Sequence, residues 1–418
     1  MADDLNRINL NDAPWLSSKP VRDVFEALEA PGHETRIVGG AVRNALLGVP
    51  VSDIDMATTL HPKEVMERAE SHGIKAVPTG IEHGTITLIS DQVTIEVTTL
   101  RADIDTDGRR AQVVFGSDWH GDAARRDFTI NAFYCDRNGK IFDPLGGFDD
   151  LHSRRIRFIG DAQKRIREDY LRILRFIRFH GAYGHGLIDA DGITACLRER
   201  GGLAQLSRER IWTEFSKILT LKNSATTIRL MFEHGLLTLI LQGVPNLIRF
   251  ENLIAIEDGL GLPRDAVRRL SALALFVKDD ASRFGEIFRL SQKDAQRLRV
   301  VSGQYPEFNE KLKSNVAKKL IYNLGAPLFI DRLLLSISGQ DRDKISQELQ
   351  GLYDLALHWT PPSFPITGED ALALGMSPGP KLGRILKAQE AEWLSADFKP
   401  DREELLVRLK IMIADVQV

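Results

Sequence analysis

Residues 36–59, RIVGGAVRNALLGVPVSDIDMATT, constrain this chain more tightly than any other stretch. Ile37 and Val38 read as a short apolar strand, Gly39-Gly40 as a tight turn, and Arg43 as part of a helix start. A second strand then bears Asp53 and Asp55. Strand side chains alternate, so residues two apart share a face. Asp53 and Asp55 therefore converge, as candidate catalytic carboxylates able to share divalent cations. Hard cations such as Mg²⁺ take oxygen ligands, often one or two carboxylates completed by substrate phosphates. The glycines let backbone N–H groups approach a phosphate at a helix start. Arg43, one turn on, carries a fork that suits phosphate oxygens. A lone D-x-D is most often a solvated strand end, and a lone Gly-Gly is most often a plain turn. Together, in strand–turn–helix–strand order, they imply nucleotidyl transfer. No G-x-x-x-x-G-K-[ST] and no G-x-G-x-x-G is present, which argues against P-loop and Rossmann chemistry.

Length and composition leave this reading open. A chain of 418 residues has room for two to four domains. Its net charge of −3 means that any nucleic-acid contact needs a local basic patch. The two cysteines, Cys135 and Cys196, lie far apart with no ligand-spaced partners. That excludes a Cys-type zinc site and a disulfide framework, and suits a reducing cytoplasm. The polar start, MADDLNRINL, is not a signal peptide, and no apolar run is long enough to span a bilayer.

The chain divides by pattern. A loose lead-in gives way to a helix over 21–30. Strands are expected at 85–89, 93–100, 112–115 and 140–142, with a helix over 125–133. Strands following strands predict a small α+β domain. From about residue 151 the i, i+3, i+4 apolar spacing predicts helices only, over 170–179, 211–221, 226–241, 266–277 and 403–413. Pro361-Pro362 and Pro365 mark a break.

Further residues fit the same chemistry. Glu96, in VTIEVTTLR, is either a third carboxylate for the Asp53/Asp55 site or a solvent-facing side chain. The polar segment 102–111 reads as a solvated hairpin loop, or as a mobile loop beside the site. In RRDFTINAF the expected helix puts Arg126 on a stripe with Ile130 and Phe133, offering a further fork to triphosphate. Asn131 reads as a structural hydrogen-bonder. In RIREDYLRILRFIRF one helix over 165–179 is expected, with Asp169, Arg172, Arg175 and Arg178 spaced by three and therefore neighbours on its surface. The bland alternative is a solvated arginine face. Against it, the 154–179 window holds nine Arg or Lys and three acids. A carboxylate beside guanidinium donors can also pair with the base edges of C and A.

Taken together, GGAVRNALLG…SDID, HGT…EVTTLR, RRDFTINAF, DPLGGFDDL, REDYLRILRFIRF and SRERIWTEF resemble the class II tRNA nucleotidyltransferase (CCA-adding) and bacterial poly(A) polymerase family. The resemblance implies a polymerase-β-like α+β head over 1–150, then an all-α neck (151–225), body (226–360) and tail (361–418). It implies Asp53 and Asp55 as Mg²⁺ ligands, and Gly40, Arg43 and Arg126 at the triphosphate. Asp169 and Arg172 would read the base, with Arg175 and Arg178 supporting nucleotide binding. A flexible loop near Asp105, Arg109 and Arg110 would take part in the change from C to A addition. Expected partners are tRNA, CTP and ATP. VPTGIEHGT, lacking a basic segment before the strand, looks like the CCA-adding branch, and no His-Asp doublet marks a fused phosphohydrolase. The rivals are a poly(A) polymerase, a CC-only or A-only enzyme, and a non-catalytic RNA-binding protein.

Overall fold

The computed structural model describes residues 8–104, 112–303, 308, 311–340 and 346–417. They form two compact units, Met1–Leu236 and Leu237–Val418.

The first unit is built on a seven-stranded sheet in the order β3-β4-β5-β2-β1-β8-β9. Its strands are β1 Thr35–Val38, β2 Ile54–Thr58, β3 Lys75–Gly80, β4 Thr85–Ser90, β5 Val93–Thr99, β8 Tyr134–Cys135 and β9 Ile141–Phe142. All neighbours are antiparallel except β2 and β5, which run parallel. A two-stranded ribbon, β6 (Arg101–Ile104) and β7 (Gln112–Phe115), leaves the end of β5. Alternation explains β5: Ile95 and Val97 are buried while Thr94 and Glu96 are exposed. Helices Lys19–Leu28 and Pro62–Ser71 pack on each other and on β4, burying Val21, Val24, Phe25, Leu28, Val65 and Ala69. Pro62 starts the second of these, and Glu64 accepts the His61 N–H at 2.8 Å, satisfying a free donor at the helix start. Loop residues Asp105, Arg109 and Arg110 lie outside the described residues.

Three expected helices take another form. RRDFTINAF is not a helix: the helix ends earlier, at Trp119–Ala124, and only Thr129–Asn131 makes a 3₁₀ turn. Here the backbone bonds to a distant segment. Thr129 N donates to Arg157 O and Ile159 N to Asp127 O, while Asp127 takes its neighbour Phe128's N–H on a side-chain oxygen. Such side-chain competition disfavours the helix. The 165–179 helix is also broken. Ala162–Glu168 ends at Asp169, whose backbone is extended (φ −154°, ψ 106°), and a new helix runs Arg172–Tyr183. Asp169 Oδ1 accepts Leu171 N at 3.1 Å, and Tyr170 lies so close to Gly202 that a Cβ there would come within 2.0 Å of its ring. The expected 226–241 helix is likewise two, Ser224–Glu233 and Leu236–Leu241, parted by Gly235 at φ 69°.

Among the described residues the second unit contains helices and no strand. Helices Leu247–Gly259, Ala266–Ala274, Gln292–Val301 and Ala326–Ser338 enclose a buried charge network. Arg268 bridges Glu257 (2.7 Å) and Asp331 (2.8 Å), Arg269 takes the other Glu257 oxygen (2.7 Å), and Arg297 joins Asp331 to Asp265. The Pro361-Pro362 break falls between helices Gln347–His358 and Gly368–Ala373. Beyond it Trp393, Leu405, Leu409 and Ile413 share a small core, with Trp393 Nε1 donating to Pro400 O.

Candidate nucleotide site

The site grows out of the β1 edge of the 36–59 stretch. Ile37 and Val38 are buried, and the chain then turns at Gly39 (φ 70°, ψ −114°) into helix Gly40–Leu46. That backbone conformation is one that only glycine adopts without strain. The turn is held by Gly39 N donating to Phe133 O at 3.0 Å.

Strand register sets the carboxylates beside this turn. Val38 stands opposite Asp55, and Asp55 stands opposite Glu96 in β5, so turn, Asp55 and Glu96 follow one another across three adjacent strands. Asp53 is not in the strand; it sits one residue before β2, exposed, with Ser52 Oγ donating to it at 3.1 Å. Asp55 and Glu96 are also exposed residues. Protein crowded around the Asp55 carboxyl, then the charges of Glu96 and Asp53, hold it above the usual carboxylate range, while Arg126 pulls it down. Unrelieved negative charge on an oxygen-only donor set is what a hard divalent cation fits. Among the described residues no three His, Cys, Asp or Glu close into a preformed cage. A cation of this kind is often held by one or two carboxylates and completed by substrate phosphates.

Two arginines lie against the glycine turn. Arg126 Nη1 lies 3.5 Å from where a Cβ on Gly39 would be. Its Nη2 donates to Asp122 (3.1 Å), and Tyr134 OH donates to the same Asp122 oxygen at 2.7 Å. Burial works against the Arg126 charge, but Asp122 and Tyr134 outweigh it and keep the guanidinium firmly protonated. Arg43 lies beneath the turn, its Nη2 3.7 Å from a Cβ built on Gly40. It is buried and donates to Asn44, Asn131 and Tyr183. Asn131 is the structural hydrogen-bonder expected, since its amide also donates to Asp127 at 2.9 Å.

The arginine series is redistributed by the break at 169. Asp169 pairs with Arg210 of helix Arg208–Leu219 at 2.8 Å, not with Arg172. Arg172 donates to Glu168 (2.6 Å) and to Arg165 O. Arg175 gives two N–H groups to Asp127 Oδ2 (2.8 and 2.5 Å), and Arg178 donates to Glu214 at 2.5 Å. The basic surplus of the 154–179 window is likewise answered from outside: Arg155 by Asp189, Arg157 by Asp150 and Arg167 by Glu199. Arg210 and Glu214 stand four apart in SRERIWTEF, a legible spacing on one helix face. Asp122, Tyr134 and Tyr183 carried no sequence signal. A separate cleft of about 740 Å³, lined in part by Thr129, Arg157, Asp161 and Asp189, contains none of the candidate residues.

The chain is similar to known proteins along most of its length. Residues 35–157 match the family model "Poly A polymerase head domain", and residues 188–248 match "Probable RNA and SrmB- binding site of polymerase A". The CCA tRNA nucleotidyltransferase 1, mitochondrial, of Mus musculus is 33% identical over 405 residues, covering 94% of this chain and 91% of that protein. A CCA-adding enzyme of Leuconostoc citreum is 32% identical, covering 88% and 89%. The crystal structure of the Bacillus stearothermophilus CCA-adding enzyme in complex with CTP superposes with a TM-score of 0.71 at 25% identity, covering 96% and 99%.

Proposed function

The chain belongs to the family of CCA-adding tRNA nucleotidyltransferases, and on that premise we propose how its own residues add C, C and A in turn to the 3′ end of tRNA. CTP and ATP are the donors, no nucleic-acid template is used, and pyrophosphate leaves at each step. The observation that carries this reading is the row across adjacent strands: the Gly39 turn with Arg126 over it, then Asp55, then Glu96.

In this reading Asp53 and Asp55 hold Mg²⁺, with Glu96 alongside. When bound, the cations supply the positive charge that activates the primer 3′-hydroxyl and steadies the leaving group. Gly39 and Gly40 leave room for the triphosphate, and Arg43 and Arg126 face its charge. Asp169 and Arg172 read the base edge, while Arg175 and Arg178 brace the helix that carries them through Asp127 and Glu214. The loop around Asp105, Arg109 and Arg110 takes part in the change from C to A. A head over 1–150 does the chemistry, and the helical neck (151–225), body (226–360) and tail (361–418) hold tRNA through phosphates and shape. Among the described residues no helix is long and apolar enough to cross a membrane, and the two buried free cysteines suit a reducing cytoplasm.

The test is extension of three primers with each labelled NTP: tRNA lacking CCA, tRNA ending in CC, and an unstructured RNA. The expected products are CCA, A and nothing. Long A tails on unstructured RNA would make this a poly(A) polymerase, and products stopping at CC would make it a partial enzyme. Asp53→Ala is expected to abolish incorporation while tRNA binding persists.

A further inference from the structure

Among the described residues Arg43 is buried with no ion-pair partner. The residue is 6% exposed, and four of its five N–H donors go to uncharged oxygens. Nε and Nη2 reach Asn44 Oδ1 at 3.2 and 2.8 Å, Nη1 reaches Asn131 Oδ1, and Nη2 reaches Tyr183 OH at 2.8 Å. Tyr183 also lies under the guanidinium, 4.1 Å from ring centroid to Cζ, and Phe179 flanks it at 5.2 Å. The carboxylate whose charge reaches it, Asp127, is already paired with Arg175. Burial without a partner carboxylate costs stability, and here it lowers the guanidinium's hold on its proton; Tyr183 and, more weakly, Asp127 offset part of this, while Arg178 repels it.

We infer that Tyr183 is a positioning residue that fixes Arg43 through neutral contacts alone, so that the charge stays available for the polyphosphate of an incoming nucleoside triphosphate. Tyrosine suits this role, since its hydroxyl accepts a hydrogen bond without adding charge and its ring face attracts a cation. A carboxylate in the same place would hold Arg43 equally well but discharge it. Tyr183 closes helix Arg172–Tyr183, so the element proposed to support base reading also aims the cation under the glycine turn. This inference rests on the proposed reading of that turn as the triphosphate cradle.

The decisive pair is Tyr183→Phe and Tyr183→Glu in the full chain, with CTP and ATP binding, KM and kcat measured on tRNA primers and inorganic triphosphate as the base-free competitor. Loss of the hydroxyl is expected to raise KM for both nucleotides roughly five- to tenfold with kcat nearly unchanged. The glutamate is expected to weaken nucleotide and inorganic triphosphate binding roughly tenfold further, since a charge-assisted pair neutralises Arg43. A merely structural latch reverses the order: glutamate, a better acceptor, would then bind CTP as well as wild type, and that result overturns the assignment. If the glutamate variant fails to fold in a thermal melt, the phenylalanine variant decides alone, and an unchanged KM overturns it. Failure of inorganic triphosphate to compete with CTP on the wild-type chain refutes the cradle reading itself, and the role of Tyr183 falls with it.

Discussion

Asp127→Asn tests whether the arginine helix is braced by buried charge. Asp127 is 8% exposed. One carboxylate oxygen takes Arg175 Nε and Nη2 at 2.8 and 2.5 Å, and the other takes Asn131 Nδ2 and Phe128 N, both at 2.9 Å. Burial alone would raise its pKa, but the charge and hydrogen bonds of Arg175, with those of Asn131 and Phe128, hold it below the usual carboxylate range. Asparagine keeps the shape and one acceptor but removes the charge. Breaking a buried pair costs about 3–5 kcal/mol; a partner that is partly solvated and has a second acid nearby lowers this to about 2 kcal/mol. The Arg175 side chain is 32% exposed and has Glu214 at 3.8 Å, so the lower figure applies. For a unit of this size that is a fall in Tm of about 4–8 °C at pH 7. Because the folded pKa is depressed, the stabilisation is complete above the unfolded carboxylate value of about 3.9 and is lost as pH falls through the folded value. Calorimetric melts of both chains are therefore expected to keep a constant gap from pH 7 to about 5 and to converge below about pH 4. A gap under about 1 °C at pH 7 would refute the bracing, and so would one that stays constant into acid.

Three further outcomes follow from the same geometry. Gly39→Ala forces a β-carbon into φ 70°, ψ −114° and is expected to cost about 1–3 kcal/mol in denaturant unfolding, with nucleotide affinity falling at the same time. Glu96→Gln removes a charge that raises the Asp55 pKa; without divalent cation the wild type loses stability as pH rises through that raised value, and the variant is expected to lose less, while its Mg²⁺ titration of activity shifts to higher concentration. Asp169→Ala is expected to raise misincorporation of U and G while leaving the Mg²⁺ requirement unchanged, measured with each NTP alone on a tRNA primer.

The sequence exposed what repeats locally and hid what depends on distant partners. Strand β5 was legible because Ile95 and Val97 alternate with Thr94 and Glu96, and β4 because 85–89 is a short run rich in β-branched and apolar residues. Strand β3 and helix Pro62–Ser71 were not, since the first buries no residue fully and the second hides only Pro62, Val65 and Ala69. The glycine turn and Asp55 could be found by spacing; that Glu96 stands beside Asp55 follows from a parallel pairing no local pattern encodes. RRDFTINAF read as a helix because its apolar spacing is helical, yet its backbone partners lie thirty residues on, at Arg157–Ile159. Nine basic residues in the 154–179 window suggested a nucleic-acid surface, and Asp127, Asp150, Asp189, Glu199 and Glu214 answer five of them. Charge summed along a chain is a poor guide to charge summed in space.

The bend at Asp169 separates two properties that a straight helix would have tied together. Residues 168–171 occupy a corner pinned at Gly202, while the apolar side chains that anchor the following helix, Ile173, Leu174, Phe176 and Ile177, begin beyond it. Under the proposed reading, the preference for one nucleotide over another resides in Asp169 at this corner and Arg172 at the first position of the helix, two polar side chains outside that apolar set. Descendants of this chain are free to drift in which base they accept while their helices stay folded.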